Sequence, residues 1–250
     1  MKNKFLTAAI CIIALFSVNL SYGYHPISPY AYCAGNPIKY VDPDGKDVWE
    51  INQNGQIVNR IEDTTQDAFH IVQQVDGKRQ RIEGQSKTFE YGTITGVNQP
   101  QVNVVREDGS ITQERLTLFQ VNGDDKATEL FEFMANPGTT TNVEWSHVKV
   151  GTDKSQKNIV GNMHQKGETS VGQYVFQTGY TVRANNHSHT NGITTPSLGD
   201  VTTAGMINGT FPNATTKIYT TNPSQYSPFN KDSEYRIIGL PSVTIWGKKP

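Results

Sequence analysis

The sequence predicts a mixed α/β (α+β) fold, and three observations support this class. The chain has 250 residues, which is enough for one or two domains with a sizeable core. Short runs of β-branched and aromatic residues, typical of strands, recur along most of the chain and alternate with turn-forming dipeptides. Two segments in the C-terminal half instead carry signals of helix starts and helix ends. Strands interleaved with a few helices are typical of a mixed β-sheet flanked by helices.

Residues 1–23 have the features of a Sec-type signal peptide and are not expected to belong to the fold. Lys2 and Lys4 supply a positive start, residues 5–20 are mostly apolar, and residues 21–23 end in a small residue suited to cleavage. The apolar run is short for a membrane-spanning helix and no stop-transfer charges follow it, so cleavage is favoured over a retained anchor. We therefore expect a periplasmic or secreted protein with no stable membrane anchor after cleavage. Cys33 would be its only cysteine, which excludes an internal disulfide.

Residues 24–47 are dense in proline, glycine, asparagine and aromatic residues, a composition typical of an extended, turn-rich segment. Three motifs follow one another: Ser-Pro-Tyr-Ala-Tyr-Cys at 28–33, Asn-Pro at 36–37 and Asp-Pro-Asp-Gly at 42–45. This combination resembles the motif that closes Rhs repeat-associated core regions, where a large β-cage is followed by a variable C-terminal toxin. The repeats are absent from this sequence, so the resemblance implies a detached toxin cassette. It also implies a cognate immunity protein as partner.

Residues 48–123 are predicted to form a β-rich extension or small domain. Four runs of strand-forming residues stand at 48–51, 56–61, 88–91 and 102–105. The dipeptides at 54–55, 76–77 and 108–109 are Asn-Gly or Asp-Gly, which two-residue hairpin turns favour. The segment contains no cluster of titratable residues, so we predict a structural role. The sequence leaves open whether it is separate from the domain that follows.

Residues 124–250 show the alternation of helix and strand expected of the functional domain. Asp124 and Asp125 are suited to cap a helix that ends before Pro137 and Gly138. A second helix is predicted at 197–207. The strand predictions for this part of the chain are 142–150, 158–162, 180–189, 216–221, 234–239 and 243–246.

His187 and His189 are the one close pair among the six histidines. On a strand, residues two apart project from the same face, so both imidazoles can bind one cation such as zinc. Ser197 and Asp200 follow with helical spacing, and Asp200 can supply a third ligand from the same helix face. Three protein ligands with one open position are typical of a catalytic zinc site. The alternatives are an exposed polar strand end for the histidines and an ordinary capping pair for Ser197 and Asp200.

The complete string from 187 to 200, HSHTNGITTPSLGD, resembles the metal motif of the JAB/JAMM metallopeptidases, most closely the JAB-like toxin domains found behind Rhs regions. The resemblance implies a JAB/MPN-like fold, Zn²⁺ as cofactor, and hydrolysis of a peptide or isopeptide bond by metal-activated water. It assigns the metal to His187, His189 and Asp200, and makes Ser197 a catalytic residue that hydrogen-bonds the developing oxyanion. Thr190 departs from the family, since many members carry proline there.

The same resemblance implies a catalytic glutamate on an earlier strand, acting as general base beside the metal. Glu144 occupies that place in the order of elements, after the first predicted helix. Its rivals are Glu129, Glu132 and Glu168, but the first two lie in the predicted helix and the third in a glycine-rich loop. The alternative interpretation of Glu144 is a surface carboxylate on an edge strand.

Composition and missing motifs exclude several other functions. The net charge of −1 and the pI of about 6.6 give no sign of the basic surface that nucleic-acid binding requires, so no nucleic-acid partner is expected. The resemblance implies a protein or peptide substrate. No His-Glu-x-x-His, Pro-Cys-x-x-Cys, Gly-x-Ser-x-Gly or phosphate-loop motif is present. Two alternatives remain open, namely a non-catalytic envelope or binding protein that keeps the fold, and a metal-dependent nuclease toxin.

Overall fold

Mixed β-sheets form most of the structure. The computed structural model describes residues 47–105, 110–238 and 244–247, and all of these belong to one compact unit. The strands are β1 (Asp47–Asn52), β2 (Ile57–Glu62), β3 (Gln66–Val75), β4 (Lys78–Glu90), β5 (Ile94–Asn98), β6 (Gln101–Val105), β7 (Ile111–Arg115), β8 (Thr117–Asn122), β9 (Trp145–Val150), β10 (Lys157–Asn162), β11 (Val182–Ser188), β12 (Thr215–Thr221), β13 (Ser224–Phe229), β14 (Tyr235–Ile238) and β15 (Thr244–Gly247). The helices are α1 (Asp124–Met134), α2 (Val171–Gln177) and α3 (Leu198–Thr210).

The central sheet has seven strands in the order β13-β12-β11-β9-β10-β8-β5. Its neighbours are antiparallel except for β11 and β12, which run parallel. Parallel neighbours require a crossover connection, and α3 supplies it between these two strands. The fold is therefore a mixed α+β arrangement, as the sequence predicted, and the predicted metal motif spans the end of β11 and the start of the crossover.

The segment predicted as β-rich contributes to three sheets, one of which is the two-stranded pair β6-β7. Its strands β5 and β8 lie in the central sheet, whereas β1 to β4 form a four-stranded sheet in the order β2-β1-β3-β4. One hydrophobic cluster joins them: Trp49 and Phe69 stack at 4.9 Å, and Phe119 of β8 packs edge-on against both. Phe131 of α1 belongs to the same cluster. Aromatic packing of this kind links the first four strands to the helix and sheet of the C-terminal part.

Helix α1 begins differently from the prediction. Its N-cap is Gly123, with a φ of 86°, and no side chain caps the first turn. The Asp124 carboxylate instead pairs with Arg183 at 2.9 Å and Lys149 at 3.2 Å, which holds the helix start against β9 and β11. The predicted capping role of the acidic pair was therefore wrong, because tertiary ion pairs take up the Asp124 carboxylate.

Several boundaries also differ from those predicted. Strand β9 starts at Trp145, so residues 142–144 precede the strand. Helix α2 and strands β3, β5, β7, β8 and β13 were not among the individual elements predicted. The motifs at 28–33, 36–37 and 42–45, the signal segment and the dipeptide at 108–109 lie outside the described residues. Within the ranges given above, no helix is both long enough and apolar enough to traverse a bilayer.

Candidate metal centre

His187 and His189 lie at the end of β11, in the middle of the central sheet. His187 belongs to the strand, and His189 follows it directly, with its backbone N–H donating to Tyr219 O at 3.0 Å. The strand is covered on both edges by β9 and β12, so both rings are buried, with 4% and 5% of their surface exposed. Alternation along an extended backbone brings the two rings to one side, with their centroids 4.9 Å apart.

Asp200 reaches the same place from the first turn of α3. Ser197 is the N-cap of this helix: its Oγ accepts from the Asp200 N–H at 3.2 Å, and its own N–H donates to Asp200 Oδ2 at 2.7 Å. This reciprocal capping box satisfies two backbone donors that the helix start would leave unpaired. It also fixes the orientation of the carboxylate, which points from the helix start towards the two histidines.

Two imidazole nitrogens and the two oxygens of one carboxylate lie close together. His187 Nε2 lies 3.1 Å from His189 Nε2 and 3.2 Å from Asp200 Oδ1, and His189 Nε2 lies 3.5 Å from Asp200 Oδ2. A tetrahedral zinc ion with ligands near 2.0 Å has edges of about 3.3 Å between them. The spacing therefore fits one divalent cation, and these residues are the one group of three or more potential ligands among the described residues.

A hydrogen bond sets the tautomer of His189. Its Nδ1 lies 2.6 Å from Ile193 O, a carbonyl that can only accept, so Nδ1 carries the proton. Nε2 then has its lone pair available, on the side that faces His187 and Asp200. Outer hydrogen bonds of this kind are usual for metal-binding histidines because they orient the ring and raise its basicity.

Burial and neighbouring groups shift the pKa values of His189 and Asp200. Burial lowers the pKa of His189, and the neighbouring His187 lowers it further, which favours the neutral ligand form. Burial raises the pKa of Asp200, but the charge and hydrogen bonds of the two histidines outweigh it and hold that pKa well below its ordinary value. The set thus offers two imidazole rings and one carboxylate as potential ligands.

Glu144 lies beside this cluster, directly before β9. Its side chain is buried, with 5% exposed, and its backbone N–H donates to Gln165 O at 2.9 Å. Ser188, between the two histidines, accepts a hydrogen bond from the Trp145 N–H at 2.9 Å and so ties the start of β9 to the end of β11. Burial, and then the negative charge of Asp200, raise the pKa of Glu144 well above its ordinary value. This environment therefore favours the protonated form of the carboxyl group.

One cavity of about 720 Å³ contains all five residues singled out by the sequence. Glu144, His187, His189, Ser197 and Asp200 all line it. The remaining lining residues are Ser146, Gly167, Glu168, Thr169, Ser170, Gly172, Gln173, Asn185, Leu198, Gly199, Thr202, Thr203, Met206, Phe229 and Arg236. The cavity is lined by both polar and apolar residues, and it is large enough for several residues of a peptide.

The three rival glutamates differ in their position relative to the cavity. Glu129 forms an ion pair with Lys87 at 2.9 Å, and Glu132 accepts a hydrogen bond from the Tyr226 hydroxyl at 2.9 Å. Neither lines the cavity, whereas Glu168 does. Of the carboxylates considered from the sequence, Glu144 and Glu168 are therefore the two placed at the site.

The other histidines of the described chain have different surroundings. His147 is fully buried in β9 and bonds Asn158 at 3.0 Å, and His164 bonds Thr117 at 2.9 Å. Sequence reasoning missed Phe229, whose ring packs edge-on against His187 at 5.7 Å, and Arg236 of β14. Both come from strands beyond α3, and no local pattern connects them with the metal motif.

Together these features define a mixed-sheet domain with a buried centre of two histidines and one aspartate that can bind a metal ion. Residues 119–207 match the model of the family JAB-like toxin 1, which supports a JAB-like toxin domain over this segment. The matched segment includes Glu144, Ser197 and the three potential ligands. Searches of curated proteins and of solved structures found no match.

Proposed function

We propose that this protein is a zinc-dependent peptidase or isopeptidase that acts as a bacterial toxin. One observation carries the proposal, namely two imidazoles and one carboxylate whose ligand atoms lie within 4.8 Å of one another, beside a buried carboxyl group in an accessible cavity. The match to a toxin family supports the biological role. Two imidazoles and one carboxylate favour zinc over calcium or magnesium, which take sets of oxygen ligands.

The chemistry follows from the placement of each group. His187, His189 and Asp200 would hold the metal ion, which when bound polarises the scissile carbonyl and lowers the pKa of water. Glu144, with its raised pKa, would take a proton from the attacking water and pass it to the leaving amine. The Ser197 oxygen accepts from the Asp200 N–H, so its own hydrogen can be donated to the carbonyl oxygen as negative charge develops there.

The charge of the cavity favours a peptide over a nucleic acid as substrate. Glu144, Glu168 and Asp200 all line it. A polyanionic backbone would meet unfavourable charge there, which weighs against the nuclease alternative. The proposal also includes export through a Sec-type signal peptide, a detached Rhs-type cassette and a cognate immunity protein, all of which rest on the resemblances in the sequence.

The test combines metal analysis with turnover. Zinc is measured by mass spectrometry in the full chain and in three variants: Glu144→Gln, the double variant His187→Ala/His189→Ala, and His70→Ala. His70 bonds Ser86 far from the cavity, so its removal is a matched loss of one imidazole. We expect one zinc per chain in the first and third variants and none in the double variant.

Hydrolysis is then followed on a peptide and isopeptide library by mass spectrometry. We expect Glu144→Gln to lower the rate by about 10²–10⁴-fold at unchanged zinc content, because it removes the proton-transfer group alone. Wild-type protein that binds no zinc under metal-replete conditions would contradict the proposal. Zinc binding without any hydrolysis would favour the binding-protein alternative.

A further inference from the structure

The cavity beside the metal cluster contains a cationic side chain with no assigned role. Among the described residues that line it, Arg236 is the one lysine or arginine. It belongs to β14 and lies beyond residues 119–207, so the family match does not include it. The family match therefore assigns no role to Arg236.

The backbone of Arg236 is attached to the start of the helix that carries Asp200. The Arg236 N–H donates to Pro196 O at 2.7 Å, and Arg236 forms a parallel β-bridge with Ser197. These contacts place it next to the N-cap whose hydroxyl and N–H hold the Asp200 carboxylate. The arginine is thus held at a fixed position relative to the potential metal ligands.

The guanidinium of Arg236 retains hydrogen-bonding capacity. Its Nε is buried, and within the described part of the chain it has no hydrogen-bond partner. A buried donor of this kind is costly unless another group satisfies it. The positive charge also acts on Glu144, whose pKa it lowers against the stronger effect of burial.

A carboxylate is the ligand that best fits this group. The planar guanidinium binds carboxylates through two parallel hydrogen bonds, and such charge-assisted bonds are stronger than neutral ones. Glu168 lines the same cavity. A ligand with several negative charges would be repelled by this residue. A ligand with one carboxylate near Arg236 satisfies the donor without placing several anions beside Glu168.

We propose that Arg236 is a substrate-binding residue that recognises a carboxylate close to the bond hydrolysed, so that the preferred substrates are acidic peptides. This inference rests on the proposed peptidase function, since it concerns the same cavity. The carboxylate can be an acidic side chain or the free end of a chain, and both offer the same chemistry to the arginine.

Three hydroxamate compounds distinguish an acidic side chain from the free end of a chain as the source of the carboxylate. All carry the same metal-chelating hydroxamate and the same alanine spacer, and they differ only in the last residue. The neutral compound ends in glutamine amide, the second in glutamate amide with a side-chain carboxylate, and the third in glutamine with a free terminal carboxylate. Dissociation constants are measured by calorimetry on the zinc-loaded full chain.

We expect at least one carboxylate compound to bind about tenfold tighter than the neutral one, the factor that one charge-assisted hydrogen bond supplies. Arg236→Gln should abolish this advantage, and Arg236→Lys should retain part of it. Lys231→Gln is the matched control, because Lys231 pairs with Asp232 on the surface and does not line the cavity. That control should keep the full advantage, and all variants should keep their zinc.

Three results would count against the inference in different ways. Equal binding of all three compounds to the wild type, with zinc bound, rejects carboxylate recognition and leaves the peptidase proposal intact. Failure to bind zinc or the neutral hydroxamate overturns the peptidase proposal itself, and this inference with it. An advantage that survives in Arg236→Gln assigns the carboxylate to another group and also rejects the inference.

Discussion

The burial of His147 predicts how the stability of the protein depends on pH. Its side chain is fully buried in β9, where the ring meets Phe131 and Nε2 bonds Asn158. Burial lowers the pKa of His147 from 6.5 to about 4. The folded protein therefore keeps this imidazole neutral at a pH where the unfolded chain protonates it.

The direction and the size of this pH effect on stability follow from proton linkage. Below pH 6.5 the unfolded state binds a proton that the folded state does not, so the free energy of unfolding falls as the pH is lowered. The loss ends near the folded pKa of about 4. Because one pH unit corresponds to about 1.36 kcal/mol, the full effect is about 3 kcal/mol, and about 2 kcal/mol is lost by about pH 5.

His147→Gln removes the titration and keeps an amide donor that can reach Asn158. Urea unfolding of the wild type and the variant would be followed by circular dichroism between about pH 7.5 and pH 4.5, with EDTA present so that metal binding does not contribute. We expect the variant to be less stable at the upper pH and the difference between the two proteins to shrink by about 2 kcal/mol on reaching about pH 5. Parallel curves for the two proteins would refute the reasoning.

Three further substitutions test the packing around the site. Gly172→Ala should destabilise the protein by about 1–3 kcal/mol in urea unfolding, since an added Cβ would overlap the side-chain amide of Asn185. Ser197→Ala should lower stability by about 1 kcal/mol and weaken zinc binding by about tenfold in chelator competition, because the capping box that orients the carboxylate is lost. Asp124→Asn should lower stability by about 1–3 kcal/mol at neutral pH, an effect that disappears in strong acid because ion pairs hold the pKa of Asp124 well below its ordinary value.

Each of these three predictions has a control variant or a result that would contradict it. Gly209 lies in α3, and an added Cβ there would have nothing within 4 Å, so Gly209→Ala should be neutral or stabilising by up to about 1 kcal/mol. Equal destabilisation at both glycines would contradict the steric argument. Unchanged zinc affinity in Ser197→Ala would show that the cap does not orient the ligand. A stability loss in Asp124→Asn that persists in strong acid would exclude the ion pairs as its cause.

The local part of the site was predictable from sequence because its geometry is local. Alternation along a strand brings His187 and His189 to one side, and a capping box places Asp200 one turn from Ser197. Both relations depend only on neighbouring residues. The structure brings all three potential ligands together.

Contacts between residues that are distant in the sequence could be identified only once the fold was known. Glu144 reaches the cavity because β9 pairs with β11 in a register that sets Ser146 opposite His187. That register depends on how two distant strands pair, and the sequence supplied it only through a family resemblance. Arg236 depends on a bridge between β14 and the start of α3, for which no sequence signal exists.

Elements were missed where local propensity and tertiary context disagree. Helix α2 has the sequence VGQYVFQ, whose β-branched and aromatic residues favour a strand. Strand β4 is rich in charged and polar residues because most of its side chains are exposed, so it lacks a clear apolar alternation. Strand β13 contains Pro228, which is tolerated because β13 is an edge strand of the central sheet.

The crossover between β11 and β12 has a further consequence for the order of folding. The three potential ligands lie within residues 187–200, a short segment whose closure costs little chain entropy. A cation could therefore bind this segment before the distant strands have paired. Glu144 joins only when β9 docks against β11, so affinity for metal and competence for chemistry would develop at separate stages. A polypeptide arranged in this way could acquire its metal early and remain inert until the whole sheet has formed.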